Sequence, residues 1–354
     1  MKTSSLVSTA AVVGVSALLL AGCSSGGGGE STSSPEAGGG RACVILPDAA
    51  SSDRWENSDR PYLQEGLEAA GFEADVQNAQ GDTNKYATIA DQQLTQGCNV
   101  MLLVDLNGAG AGVTEKAQAE GIPVIAYDRP IAGADYYVSF DNIEVGRLEG
   151  QSILDGLEAA GKDPATAKVV YMGGDPADGN AKMFHDGAVE VMEAAGIKPA
   201  AEPPGIWDGE KSATNFEQAL TSLGGTVDAV WVANDTNAAG VITILDKNSL
   251  VVPVSGQDAS VAGLQNVLLG KQTATVYKPI KLEADAAVEL ATALAAGEKP
   301  TADQELEDGT PYIAVTPQLV GPDQVIDVVD AGDANPADIC QADVAAKCTE
   351  YGIE

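Results

Sequence analysis

From Cys43 onward, short apolar runs alternate with amphipathic stretches. CVIL, FEADVQ, VMLLV, PVIAY, YYVSF, AKVVYM, DAVWVA, VVPVS and TATVY read as buried or half-buried strands. Helical spacing of apolar positions fills the intervals, around Tyr62 to Ala70, around Tyr86 to Gln96, and from Ile280 to about Ala296. In AAGFEA, AEGIPV and AAGIKP a glycine closes the helix in a left-handed cap before the next strand begins. This alternation predicts a doubly wound α/β fold. It runs through two comparable halves that meet near Asp141, which predicts two Rossmann-like lobes with a ligand cleft between them. The stretch PYIAVTPQLV, after the late helix, predicts that the chain recrosses between lobes, and several crossings make a hinge. The glycine-rich NGAGAG from Asn107 has neither the G-x-G-x-x-G spacing nor a phosphate-binding lysine, so it reads as a turn opening a helix.

In open parallel sheets the loops beyond the carboxyl ends of the strands converge on the ligand crevice. The polar residues at those positions are Arg54 with Trp55 after CVILP, Asp128 and Arg129 after PVIAY, Asp178 and Asn180 after VVYMGG, and Trp207. Asn234 and Asp235 follow DAVWVA, Gln257 and Asp258 follow VVPVSG, and Lys278 follows TATVY. Arg, Asp and Asn can hold vicinal hydroxyls with two directed bonds each, and an aromatic ring can pack on the C–H face of a pyranose. Arg54, Arg129 and Lys278 balance Asp128, Asp178 and Asp258, which suits a neutral ligand. Each residue also has a plain structural role open to it: Arg54 and Trp55 a surface contact, Asp235 and Asp178 helix caps, Lys278 a solvated charge. Trp231, inside an apolar strand, reads as core, and His185, the only histidine, as structural.

The chain starts with Lys2, an apolar stretch and Leu20-Ala21-Gly22-Cys23, the layout of a secretory leader (1–22) ending in a lipoprotein processing site. Cleavage ahead of Cys23 and lipidation of its thiol would leave the protein anchored to the outer face of the cell membrane through lipid alone. The 17 residues that follow, SSGGGGESTSSPEAGGG, have no apolar side chain able to pack and form a tether over 23–40 with a reach of about 20 to 25 Å. The lobes are expected over 41–141 with about 281–314, and over 142–280 with about 315–354.

A net charge of −33 argues against nucleic acid and anionic lipid as partners. Four cysteines remain besides Cys23, an even number for an oxidising compartment. Cys43 opens the first strand and Cys98 precedes the third, neighbours in a 2-1-3 sheet, so Cys43 is expected to pair with Cys98 and Cys340 with Cys348. One histidine and no CxxC leave no support for a zinc site or a cysteine nucleophile, and no G-x-S-x-G elbow is present. Neither enzyme, cofactor nor metal is expected.

Six separated motifs, YDRPI, SFDN, MGGDPADGNAKMF, ANDTNAAG, SGQDA and TVYKPI, occur in an order and spacing that resemble the sugar-binding, type I periplasmic binding proteins of ABC importers, and among them those that bind D-xylose. The resemblance runs from Val44 to about Val320. It implies two lobes joined by three crossovers, a monomer that captures a monosaccharide and presents it to a membrane permease. It also implies a ligand set of Arg54, Asp128, Arg129, Asp178, Asn180, Trp207, Asn234, Asp258 and Lys278, with Asp235 and Gln257 behind it. The segment after Trp207, DGEKSAT, diverges from the family, and the stretch holding Cys340 and Cys348 extends past the resemblance without an assigned role.

Overall fold

The computed structural model describes residues 40–353; the predicted leader, Cys23 and the tether up to residue 39 lie outside them. The first half runs β1 (Arg41–Leu46), α1 (Arg60–Ala69), β2 (Glu73–Asn78), α2 (Thr83–Gln96), β3 (Val100–Leu103), α3 (Ala109–Ala119), β4 (Val124–Tyr127) and β5 (Tyr136–Phe140). The second runs α4 (Asn142–Ala159), β6 (Val169–Met172), α5 (Gly179–Ala194), β7 (Pro199–Ala201), α6 (Gly209–Ser222), β8 (Ala229–Val232), α7 (Asp235–Lys247), α8 (Val261–Leu268) and β9 (Thr275–Tyr277). The chain then forms α9 (Ile280–Ala295), β10 (Gln304–Glu305), β11 (Pro311–Val315), β12 (Gln318–Val320), α10 (Val325–Asp330), α11 (Pro336–Ile339) and α12 (Ala345–Glu350).

The first sheet has the order β10-β11-β5-β4-β3-β1-β2, parallel except for β10. Its inner strands β1, β3, β4 and β5 are buried on both faces because helices cover both, whereas β2 and β10 at the two edges are polar and partly exposed. Ala42, Val44 and Leu46 point into one core and Cys43 and Ile45 into the other, the two-residue period of a strand read directly in the packing. The second half repeats the winding, with the order β7-β6-β8. Trp231 is fully buried there.

VVPVS does not form a strand: only Val254 makes an isolated bridge, to Val230. Pro253 brings no N–H, so this stretch extends the sheet mainly through the Pro253 carbonyl, which accepts from Val230 N at 2.9 Å. Helix α2 begins three residues before the expected Tyr86, because the Asp82 side chain accepts from the backbone N–H groups of Asn84 and Lys85 and caps it there.

The chain passes between the two halves three times: from β5 into α4, from β9 into α9, and from β11 into β12. Helix α9 follows the second half in sequence yet buries Ala284, Ala287, Leu290 and Ala291 in the core of the first. β11 pairs with β5, while β12 pairs with β9 in the other half. Cys43 is bonded to Cys98 and Cys340 to Cys348, the connectivity expected from the strand order. Among the described residues, no helix is long and apolar enough to cross a membrane.

Candidate functional site

All nine residues of the ligand set that the resemblance implies line one narrow cavity of about 30 Å³ between the two halves. It opens into a wider groove of about 530 Å³, with Ser51, Arg129, Asp178 and Trp207 on the border of both. Local chemistry sets each side chain. Arg54 sits at the start of a π-helical turn, Trp55–Asp59, that leads into α1. Asp128 takes φ 59° and Asp258 φ 99°, positive values that non-glycine residues rarely adopt. Strain of that kind, at corresponding strand ends of the two halves, persists where the surroundings fix the residue for a purpose.

Asp178 caps α5 through the Asn180 N–H at 2.9 Å, accepts from Trp207 Nε1 at 3.0 Å and lies 3.2 Å from Arg129 Nε. The Trp207 ring occupies the space that any side chain at Gly174 would need. Asn180 joins the halves: its Nδ2 donates to the Asp128 carbonyl and its Oδ1 accepts from the Tyr137 hydroxyl, both at 2.7 Å. Asn234 caps α7 by accepting from Asn237 N at 2.9 Å.

Every cation facing the cavity has a carboxylate partner: Arg54 with Asp128 at 2.6 Å, Arg129 with Asp178 at 3.2 Å and Lys278 with Asp258 at 2.8 Å. Burial works against ionisation of Asp258, but Lys278, with smaller help from Arg54 and the Ser52 hydroxyl, outweighs it and holds the carboxyl below its usual range. Burial lifts Asp178 above that range against the pull of Arg129.

The balance of three cations against three anions does not hold, because Arg54 is also bound by Asp59 at 2.7 and 2.9 Å and by Glu283 at 2.5 Å. A guanidinium carries five N–H donors. These four contacts leave Arg54 a single donor on Nη1 for anything in the cavity. Burial raises Glu283 well above the ordinary glutamate range against the attraction of Arg54, which limits the charge collected around one guanidinium.

Several plain roles fall elsewhere than expected. Asp235 does not cap α7; it is buried beneath the cavity and accepts from Gln272 Nε2 and Thr275 Oγ1, each at 2.9 Å, and from the Ser260 backbone. Lys278 is not solvated and Arg54 and Trp55 are not surface groups: they are 6%, 7% and 2% exposed. Gln257, expected behind the ligand set, lines the cavity, and its Oε1 is buried without a hydrogen-bond partner. Ser51, Ser52 and Phe184 line it too. Phe184 was legible as the residue four positions after Asn180, hence on the same face of α5. Glu283 carried no such signal, since only folding brings position 283 to Arg54; Asp59, five residues on from Arg54, was within local reach. Among the described residues, no cluster of three or more His, Cys, Asp or Glu side chains is arranged to hold a metal ion.

A profile of the periplasmic binding protein domain matches residues 43–299. The D-xylose-binding periplasmic protein of Escherichia coli (strain K12) is 34% identical over 290 residues, covering 78% of this chain and 86% of that protein. That of Haemophilus influenzae is 38% identical over 267 residues, 73% of this chain and 78% of the relative. A solved ABC transporter solute binding protein from Clostridium phytofermentans with bound β-D-glucose superposes with a TM-score of 0.76 at 26% identity, covering 84% of this chain and 99% of that one. Its two wound halves, its threefold crossing and these matches show that the chain belongs to the periplasmic binding protein family, in the type I fold.

Proposed function

We propose that this protein captures a monosaccharide, D-xylose first among the candidates, outside the cytoplasm and delivers it to the permease of an ABC importer without chemical change. The observation that carries this reading is that each cation in the cavity is already neutralised by a carboxylate at 2.6 to 3.2 Å. An anionic ligand would need a free cation and a cationic ligand a free carboxylate. A neutral polyhydroxyl needs alternating donors and acceptors beside an apolar face, and the cavity offers them. The remaining N–H groups of Arg54 and Lys278, the oxygens of Asp128, Asp178 and Asp258 and the rings of Trp55, Phe184 and Trp207 line it together. A sugar that leaves one of these groups unpaired loses about 1 to 3 kcal/mol, which is the source of selectivity.

Residues 41–141 with 281–314 form one moving body in this proposal and 142–280 with 315–354 the other, closing over a monomeric protein's single ligand. Two disulfides suit an oxidising compartment, and lipidation at Cys23 would hold the body at the membrane. The test is isothermal titration of the mature protein with D-xylose, glucose, galactose, arabinose and ribose. Tight one-to-one binding of D-xylose alone is expected. Comparable binding of glucose would make it a broader aldose carrier, and no binding across the panel would overturn the sugar assignment.

A further inference from the structure

The C-terminal segment spans the junction of the two halves. Its apolar side chains, among them Val325, Val328, Ile339, Cys348 and Ile353, pack with Leu264, Val267 and Leu268 of α8. Gln265 of α8 donates to the carbonyls of Asp338 and Ile339 at 3.1 and 3.0 Å, and the Cys340–Cys348 disulfide closes the far end. The segment is therefore anchored on the second half. One of its residues reaches the first. Asp333 Oδ1 accepts from the hydroxyl of Tyr62, on α1, at 3.2 Å, and Asp333 Oδ2 accepts from the hydroxyl of Tyr277, on β9. Tyr62 itself packs against the edges of both cores, so it lies where the halves pivot. Tyr277 immediately precedes Lys278, the partner of Asp258.

We propose that residues 325–353 form a strap across the hinge and that Asp333 is a positioning residue for closure, tying Tyr62 of the first half to Tyr277 of the second. The inference deepens the sugar-capture reading and rests on it for its consequence. With the strap in place Ser52 Oγ donates to Asp258 Oδ2 across the cleft at 3.2 Å, and Asn234 Nδ2 faces the Ser51 carbonyl at 3.4 Å. Releasing Asp333 shifts the population toward wider separation of these pairs, and a ligand that needs both halves then binds more weakly.

The experiment is small-angle X-ray scattering on the full mature chain without ligand, as wild type, Asp333→Ala, Tyr62→Phe and the double variant, each checked by its melting curve. Both single variants are expected to show a larger radius of gyration with little change in melting, and the double variant no further increase, because the two share one contact. D-xylose affinity falls two- to tenfold in each, the range for the one hydrogen bond, Tyr62 to Asp333, that ties the halves and is lost in both. An unchanged radius of gyration overturns the strap whatever sugar binds. A chain that opens on loss of Asp333 but ignores D-xylose overturns the ligand assignment and leaves the strap standing.

Discussion

Arg54 and Arg129 face one cavity and do different work. Arg54 is held by Asp59, Asp128 and Glu283, so Arg54→Ala leaves three buried carboxyls around no cation and should cost about 3 to 5 kcal/mol in urea denaturation. Arg129 is tied to Asp178, the Asp105 carbonyl and the Ser51 hydroxyl at 3.1 to 3.2 Å. Arg129→Ala and Asp258→Ala should leave the chain folded and weaken D-xylose binding by about 30-fold or more, each removing a charged hydrogen-bonding group; titration that finds normal affinity in either variant removes it from the site. Asp235 supplies a pH signature. Burial, then the charge of Asp258, pushes its carboxyl from an ordinary 3.8 up to about 7, against the bonds from Gln272, Ser260 and Thr275. The folded chain keeps a proton that the unfolded chain releases between those values, so this contribution to stability is complete below 3.8 and is lost as pH rises through about 7. Buried Glu149 acts in the same direction. Unfolding free energy should fall on the order of 2 kcal/mol between pH 5.5 and 7. Asp235→Asn should flatten that slope, and an equal slope in the variant would assign the effect elsewhere.

Among the elements, the two disulfides differ in reach. Cys43–Cys98 closes 55 residues and joins β1 to the approach of β3, whereas Cys340–Cys348 closes 8. Chain entropy gives about 4 kcal/mol for the longer loop and about 2.5 for the shorter. Replacing both cysteines of the first bridge by serine should therefore lower the denaturation midpoint more than the same change in the second. The reverse order would mean that packing of the C-terminal segment, not loop length, dominates. Helix caps were readable in sequence where an acidic or amide residue precedes helical periodicity, as at Asp178, but which of Asn234 and Asp235 caps α7 was not. Either can accept from the helix N-terminus, and the choice fell to Asn234 because Gln272 and Thr275 draw Asp235 into the interior.

At the scale of the whole molecule, the charge of −33 and the paired cavity both disfavour an anionic ligand. The surface field repels anions, while the site itself presents no unpaired cation. Binding of a neutral sugar should accordingly change less than about twofold between 50 and 500 mM salt, since no counterions are exchanged. Affinity that falls steeply with salt in titration would point to a charged ligand instead.

The sequence by itself determined the winding and the places where polar groups collect. Alternation of apolar runs with amphipathic helices is a local pattern, and in a parallel sheet it forces the polar residues after each strand to one edge. Arg54, Asp128, Asp178, Asn234, Asp258 and Lys278 were legible for that reason. What only the tertiary structure decided is how the charges share one another. Asp59 and Glu283 neutralise Arg54, Gln257 turns into the cavity, and Asp333 meets tyrosines of both halves. The contacts of Glu283 with Arg54 and of Asp333 with Tyr62 depend on crossings of the chain that bring residues hundreds of positions apart within hydrogen-bond distance, where burial makes an unpaired charge too costly to leave.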